Sequence, residues 1–367
     1  MGYFSANAFL TEVELMKKLR IGIIGCGHIA NKKHMPSLKK LSCVEMVAFC
    51  DIIEEKAIKA KAEFGAPDSK VYTDYKQLLE DKTIDAVHVC TPNRSHSFIT
   101  VDALEAGKHV MCEKPMAINS AEAKSMLDAA KKTGKKLTIG YQSRQRADSQ
   151  YLKTEAENGT FGDVYYAKAT AIRRRGVPTR GVFLNEYEQG GGPLIDIGTH
   201  ALDLTLWIMN NYKPKYCVGT TYHKLNKQTD QGNNRGNWDP EKFSVEDSAF
   251  GFVVMENGAS IYLESSWALN TLETREAVTS LCGTLAGADM LDGVRINGIR
   301  NNLQYELKPT IACPVDASDL EAAQWIDAII NDKEPCVLPE QAYVITQILE
   351  GIYESAKSGD IYRFDEN

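Results

Sequence analysis

Residues 19–30 read Leu19-Arg20-Ile21-Gly22-Ile23-Ile24-Gly25-Cys26-Gly27-His28-Ile29-Ala30, a strand-like apolar run that ends in a G-x-G-x-x-A turn. Gly25 permits the tight turn out of the strand, and Gly27 lets backbone N–H groups approach a pyrophosphate. Ala30 is small enough for the next helix to pack close to the strand. The N-terminal dipole of that helix then faces the phosphates. Glycine-rich turns end many strands, so the surroundings decide. A second apolar run, Glu45 to Cys50, ends at Asp51, about 20 residues past the loop as a dinucleotide fingerprint requires. A carboxylate there accepts hydrogen bonds from the adenosine ribose and repels a 2′-phosphate, which favours NAD over NADP. The plain alternative for Asp51 is a cap for the helix expected over Glu54 to Phe64.

Working outward, further apolar runs lie at Ile84 to Cys90, His109 to Cys112 and Leu137 to Ile139, and Ser95 to Ala106 has helical spacing. Strands alternating with helices imply right-handed crossovers and a parallel sheet covered on both faces. Ligands of such sheets bind beyond the carboxyl ends of the strands. Two strand ends carry chemistry there. Thr91-Pro92-Asn93-Arg94-Ser95-His96 offers Asn93 and His96 to a cofactor, or else is a capped helix start with a surface histidine. In Glu113-Lys114-Pro115, the proline keeps Lys114 out of helical geometry at the strand tip, within reach of a substrate hydroxyl. Its plain alternative is a solvated loop lysine.

After about Tyr151 the pattern changes. Val164 to Ile172, Tyr216 to Tyr222, Ser248 to Val254 and Ala259 to Trp267 are long strand candidates, the last two separated by the hairpin signal Asn257-Gly258. This half is expected to be an α+β unit with a large, mostly antiparallel open sheet, whose exposed face suits pairing with a second subunit. The chain is thus divided into an N-terminal arm (1–17), a dinucleotide-binding doubly wound domain (18–145) and a substrate-binding and oligomerisation domain (146–367). Glu321 to Ile330 and Glu340 to Ser358 read as closing helices able to pack back on the first domain. The polar stretch 225–241 is a lid or an oligomer arm.

Gly190-Gly191-Gly192-Pro193-Leu194-Ile195-Asp196-Ile197-Gly198-Thr199-His200-Ala201-Leu202-Asp203 opens a helix expected over Leu194 to Met209 and buried for most of its length. Asp196, His200 and Asp203 fall at i, i+4 and i+7 on one face. Carboxylates and a histidine along a buried stripe cost desolvation unless they are paired or functional. A structural Asp–His pair is the plain reading. A metal is not expected, because no third ligand of suitable spacing lies nearby.

Composition narrows the function classes. With 367 residues, two domains are expected. The chain has 42 Lys and Arg against 49 Asp and Glu, a formal charge of -7, which disfavours nucleic acid and anionic membranes as partners. No apolar run is long enough to span a bilayer. Met1 to Met16 lacks the pattern of a secretory signal, and Ala6 breaks the myristoylation pattern that Gly2 would open. Nine cysteines without Cys-x-x-Cys pairs read as buried thiols in a reducing compartment, so a cytoplasmic location is expected.

Taken together, G-C-G-H-I-A, T-P-N-x-x-H, E-K-P and G-G-G-x-L-x-D-x-G-x-H-x-x-D, in that order from Lys18 onward, resemble the glucose–fructose oxidoreductase and inositol dehydrogenase family (Gfo/Idh/MocA). The resemblance implies a Rossmann domain, a second domain whose open sheet packs in homo-oligomers, a cis peptide before Pro115 and a site between the domains. It places the catalytic residues on Lys114, Asp196 and His200. Cofactor contacts fall on Gly25, Gly27, Asp51, Asn93, His96 and Glu113, with His28, Ile29, Thr91 and Lys114 beside them.

In the reaction so implied, a secondary alcohol of a sugar or polyol gives its proton to His200 while hydride leaves for NAD. Lys114 stabilises the alkoxide, and Asp196 orients His200 or binds a neighbouring hydroxyl. Tyr141, Arg144 and Arg173, with Asp196 and His200, are the expected substrate contacts. Arg173 to Arg175 suit hydroxyls, a carboxylate or a phosphate, or form a solvated face. The substrate expected first is a hexose or glucoside oxidised at a ring hydroxyl, C3 being the position considered, to give a keto-sugar. Inositol dehydrogenase is the leading rival. A redox-assisted glycosidase and a non-catalytic sensor of NAD and sugar are the further alternatives.

Overall fold

The computed structural model describes residues 18–312 and 315–364; the expected N-terminal arm, 1–17, and Cys313 lie outside the described residues. The first part of the chain alternates β1 (Leu19–Ile24), α1 (Met35–Lys39), β2 (Val44–Cys50), α2 (Glu54–Phe64), β3 (Lys70–Tyr72), α3 (Tyr75–Glu80), β4 (Ala86–Val89), α4 (His96–Glu105), β5 (His109–Cys112), α5 (Ser120–Thr133) and β6 (Leu137–Ile139). All six strands run parallel in the order β3-β2-β1-β4-β5-β6. Val87, Val89, Val110 and Cys112 are fully buried, because helices cover both faces of the sheet. The order reverses between β1 and β4, which opens a crevice at their carboxyl ends. β3 was not among the expected strands. It is a short edge strand with one exposed and two half-buried residues, so it leaves no apolar run to read.

The second part comprises α6 (Ala147–Glu157), β7 (Val164–Ile172), α7 (Glu186–Gln189), α8 (Thr199–Met209), β8 (Pro214–Tyr222), β9 (Ser248–Met255), β10 (Ser260–Ser266), β11 (Arg275–Gly283), β12 (Ala286–Asp289), β13 (Arg295–Arg300), β14 (Leu303–Leu307), α9 (Ala317–Ile330), α10 (Pro339–Ser358) and β15 (Tyr362–Arg363). Its sheet has the order β14-β13-β12-β11-β7-β10-β9-β8-β15, antiparallel except where β7 meets β10. The β9–β10 hairpin turns at Asn257-Gly258, where Gly258 takes a φ of +87° that other residues rarely adopt.

One face of this sheet buries Ala167, Ala169, Val253, Ile261 and Leu263 beneath α8 and α10. The other presents the cross-strand row Val218, Phe252, Tyr262, Lys168 and Ser280. β11 to β14 were not expected either. β11 is interrupted by a bulge with Ala277 at a φ of +53°, and β13 and β14 are mostly exposed.

The closing helices bind the two sheets together. α9 sends Trp325 and Ile326 into the cluster around Ile21, Ile23 and Phe49, and α10 packs on both α5 and β8. The helix expected over Leu194 to Met209 is in fact a π-helical turn, Leu194–Gly198, followed by α8. The cysteines need a correction. Cys26, Cys50, Cys90, Cys112 and Cys217 are buried, but Cys43 and Cys336 are half-buried. Cys282 is exposed on the open face of the second sheet, because β11 alternates faces there. None of the described cysteines is in a disulfide. No helix among the described residues is long and apolar enough to cross a membrane.

Candidate active site

At the end of β1, Gly25 has a φ of +91°, and a methyl group on it would stand 2.7 Å from the Cys90 carbonyl at the end of β4. Glycine is required there by the protein's own backbone. Gly27 differs: no protein atom comes within 4 Å of where its Cβ would stand. That is an open cradle of the kind a close-approaching phosphate needs, so the residues present fit a dinucleotide. Asp51 is nearly buried and clamps the loop. Its Oδ2 accepts from Cys26 N and its Oδ1 from Ile53 N, each at 2.9 Å. Asp51 is not the cap of α2, because Ile53 holds the N-cap position and no side chain caps that helix; each Asp51 oxygen keeps a further lone pair. Ile29 is half-buried. His28 is exposed, and its Nε2 lies 3.1 Å from Nη1 of Arg180, which reaches the loop from the second half of the chain. The guanidinium can only donate, so His28 accepts at Nε2.

Across the crevice, Asn93 donates to the carbonyl of Gln189 at 3.0 Å. His96 is buried, not on the surface. Its Nδ1 lies 2.7 Å from the Pro115 carbonyl and its Nε2 3.0 Å from that of Thr91. It staples the end of β4 to the Lys114–Pro115 step, whose peptide bond is cis. Glu113 is also buried. Lys33 Nζ and His34 Nε2 both reach its Oε1 at 2.8 Å, and the Lys114 N–H donates to its Oε2 at 3.2 Å. His34 continues to His88 through Nδ1 atoms 2.9 Å apart, and Lys33 pairs with Glu321 of α9 at 2.7 Å. Burial raises the Glu113 pKa, but the Lys33 charge and the His34 hydrogen bond outweigh it and hold the carboxyl well below its usual range. The Glu113 carboxylate is thus consumed inside the protein, and it sets the backbone of Lys114.

Lys114 Nζ donates to both the carbonyl oxygen and Oδ1 of Asp196, each at 2.8 Å. Oδ2 of Asp196 accepts from the Trp267 indole at 3.0 Å. Burial pushes the Asp196 pKa up, and Lys114 with Arg173 pulls it down further, so the carboxylate stays ionised. Neither oxygen is bonded to His200, so the expected Asp–His pair is not formed. His200 is partly exposed to the cleft. Its ring meets Tyr141 edge-on at 6.2 Å, and its Nδ1 is buried without a partner. Burial first and the Lys114 charge second push its pKa down to about 3.

Two expected substrate contacts are corrected. Arg144 is fully buried. Its Nε lies 3.1 Å from both carboxylate oxygens of Asp203, and its Nη1 donates to the Cys336 carbonyl and to Gln341. An arginine so enclosed and satisfied is a structural pair, and it takes Asp203 out of the presumed stripe. Tyr141 is 1 % exposed with its hydroxyl on Thr199 at 2.8 Å, so it supports His200 from behind. Arg173 is half-buried and its guanidinium donates to Glu276. Lys33, His34, Trp267 and Arg180 were missed. Lys33 and His34 follow the glycine loop on a π-helical turn, Ala30–His34, and lie in a polar run that reads as a solvated face; Trp267 and Arg180 left no signal either.

The comparisons agree with this architecture. A model described as the oxidoreductase family, NAD-binding Rossmann fold, matches residues 19–141, and one for the GFO/IDH/MocA C-terminal domain matches residues 149–287. A D-glucoside 3-dehydrogenase of Escherichia coli (strain K12) is 37% identical over 93% of this chain and 96% of its own length. A myo-inositol 2-dehydrogenase of Thermotoga maritima is 32% identical, but over only 52% of this chain and 55% of its own. Among solved structures, an aldose-aldose oxidoreductase from Caulobacter crescentus complexed with glycerol superposes with a TM-score of 0.76 at 25% identity, covering 95% of this chain and 100% of that one. With the parallel sheet, the glycine cradle and the two matched models together, the chain belongs to the Gfo/Idh/MocA family of NAD-binding oxidoreductases.

Proposed function

We propose that this protein oxidises a secondary ring hydroxyl of a sugar or glycoside, at C3, to a keto-sugar. The observation that carries the reading is the Lys114–Asp196 contact at the carboxyl end of β5, with a neutral His200 opening into the same cleft. The likeness to a D-glucoside 3-dehydrogenase along nearly the whole chain supports the substrate class. It favours a glucoside over an inositol, because the inositol dehydrogenase likeness covers about half of the chain.

The glycine cradle and Asp51, with the Asn93 edge that His96 braces from inside, would hold NAD, which supplies the hydride acceptor. Asp51 disfavours a 2′-phosphate there. Oxidation of an alcohol needs a base for the hydroxyl proton as hydride leaves carbon. His200 carries no proton on its accepting nitrogen at neutral pH, so it can take one. Lys114 spends two of its three donors on Asp196 and keeps one for the substrate oxygen, where its charge stabilises the developing alkoxide. Asp196, held by Trp267, aims Lys114 and does not act as the base.

The division into domains at 145/146 goes with this reading, since the cleft lies between the two sheets. A second copy of the chain would cover the open face around Val218 and Phe252, each about two-fifths exposed. Unpaired thiols support a cytoplasmic location. Purified protein with NAD is to be screened against glucose, methyl and aryl glucosides, galactose and inositols. NADH formation with a glucoside, and a 3-keto product by NMR, is the expected result. NAD binding without reduction of any of them identifies a sensor, and aglycone release without net NADH identifies a redox-assisted glycosidase. Light scattering that finds a monomer at micromolar concentration removes the second copy.

A further inference from the structure

Beyond Arg173, β7 runs into a cavity of about 730 Å³, a volume ordinary for a small-molecule site. Its wall carries Arg173, Arg174, Arg175, Arg235 and Arg275 against only Asp230 and Glu276. In a chain with a formal charge of -7, this concentration of arginine is a local reversal. The far wall is the polar stretch 225–241. It is neither a free lid nor an extended arm, because Asn233 bonds both the N–H and the carbonyl of Val177 at 3.0 Å and Gln231 accepts from the Arg175 guanidinium.

The arginines are not neutralised by their neighbours. Glu276 is already taken by Arg173, which also donates to the Gly176 carbonyl. Arg175 is spread over backbone carbonyls and Asn270. Arg174 and Arg235 are exposed and have no side-chain partner among the described residues. Arg275 has a buried Nε with no hydrogen-bond partner. Burial and the charges of Arg173 and Arg180 push the Arg235 pKa down, the mark of a cation held among cations. Clefts lined by one sign of charge focus the field and concentrate ions of the opposite sign.

The cavity also adjoins the reacting centre. Arg173 N and Gly176 N bond the carbonyls of Ser266 and Trp267 at 2.8 Å, and the Trp267 indole holds Asp196. We infer that this cavity is a subsite for an oxyanion carried by the sugar, a phosphate or a carboxylate, with Arg174, Arg235 and Arg275 as its donors. The inference rests on the dehydrogenase reading for the identity of the sugar. Planar guanidinium groups suit both anions because they donate two parallel hydrogen bonds.

Calorimetric titration of the protein with saturating NADH, using glucose, glucose 6-phosphate and glucuronate, reads the subsite without turnover. At least one of the two anionic sugars is expected to bind about 10-fold or more tightly than glucose, less so as salt is raised. The better arm tells phosphate from carboxylate. In Arg174→Ala/Arg235→Ala the preference is expected to fall to within about 3-fold, with the melting temperature unchanged because both side chains are exposed. Equal affinity for all three sugars overturns the subsite, as does an anion preference that the double variant retains. If no sugar reduces NAD while the anion preference holds, the dehydrogenase reading falls and the subsite stands.

Discussion

The ammonium of Lys114 is held by Asp196 at two points, the backbone carbonyl and a carboxylate oxygen, each 2.8 Å away. These residues stand at the ends of different layers, one after β5 and one in the π turn before α8. Their contact brings the π turn of the second half against the carboxyl end of the parallel sheet of the first. It also leaves Lys114 aimed and with one donor free.

Lys114→Ala and His200→Ala are each expected to abolish turnover, a loss of at least about 100-fold in kcat, while NAD still binds. Steady-state kinetics together with NADH fluorescence titration check this. Near-normal kcat in either variant removes that residue from the chemistry.

The pH profile follows from His200. A base works only when deprotonated, and activity is lost as pH falls through its pKa. Because burial and then Lys114 depress that pKa to about 3, the acid limb of kcat/KM is expected well below the ordinary histidine value of 6.5. A limb near 6.5 in the NAD-saturated enzyme contradicts the depressed pKa, while loss of that limb in His200→Ala ties it to this residue.

Asp51→Ala is expected to raise KM for NAD by about tenfold or more, the worth of a hydrogen bond to a charged group. The same change should narrow the preference over NADP, because the charge that repels a 2′-phosphate is gone. Paired kinetics with the two cofactors test both effects.

Asp203→Ala leaves the Arg144 guanidinium buried without its carboxylate. Breaking such a pair costs about 3–5 kcal/mol. Urea denaturation should show the loss. KM for the sugar in the folded enzyme is expected to stay put, since neither residue reaches the cleft.

Glu246 gives the fold a pH dependence of its own. It accepts from Gly192 N, Leu194 N and the Tyr353 hydroxyl, yet burial outweighs these bonds and pushes its pKa from 4.5 up to about 7. The native state then binds more protons than the unfolded chain between these values. The stability it contributes is full below about 4.5 and is lost as pH rises through about 7, by on the order of 3 kcal/mol. Glu246→Gln should flatten that slope in denaturation curves taken at several pH values.

What the sequence by itself determined is local. Alternating apolar runs specify a parallel sheet, and β1, β5, β6 and β7 occupy the residues that their hydrophobicity marks out. Gly25 is legible because a turn out of a strand end demands φ above zero. Asn257-Gly258 is legible for a similar reason.

Tertiary structure alone decided which charges meet. Regular helical spacing places Asp196, His200 and Asp203 on one face. A π turn occupies Leu194–Gly198, and there Asp196 and Asp203 take separate partners while the buried Nδ1 of His200 takes none. Asp196 goes to Lys114, 82 residues away, and Asp203 to Arg144, 59 residues away. Arg144 and Arg173 look alike as isolated basic residues, yet one is sealed behind α8 while the other borders a cavity built from three distant segments. Local periodicity records which face of an element is apolar. It holds no record of the distant side chain that will neutralise a buried charge, because that partner is chosen by packing between elements.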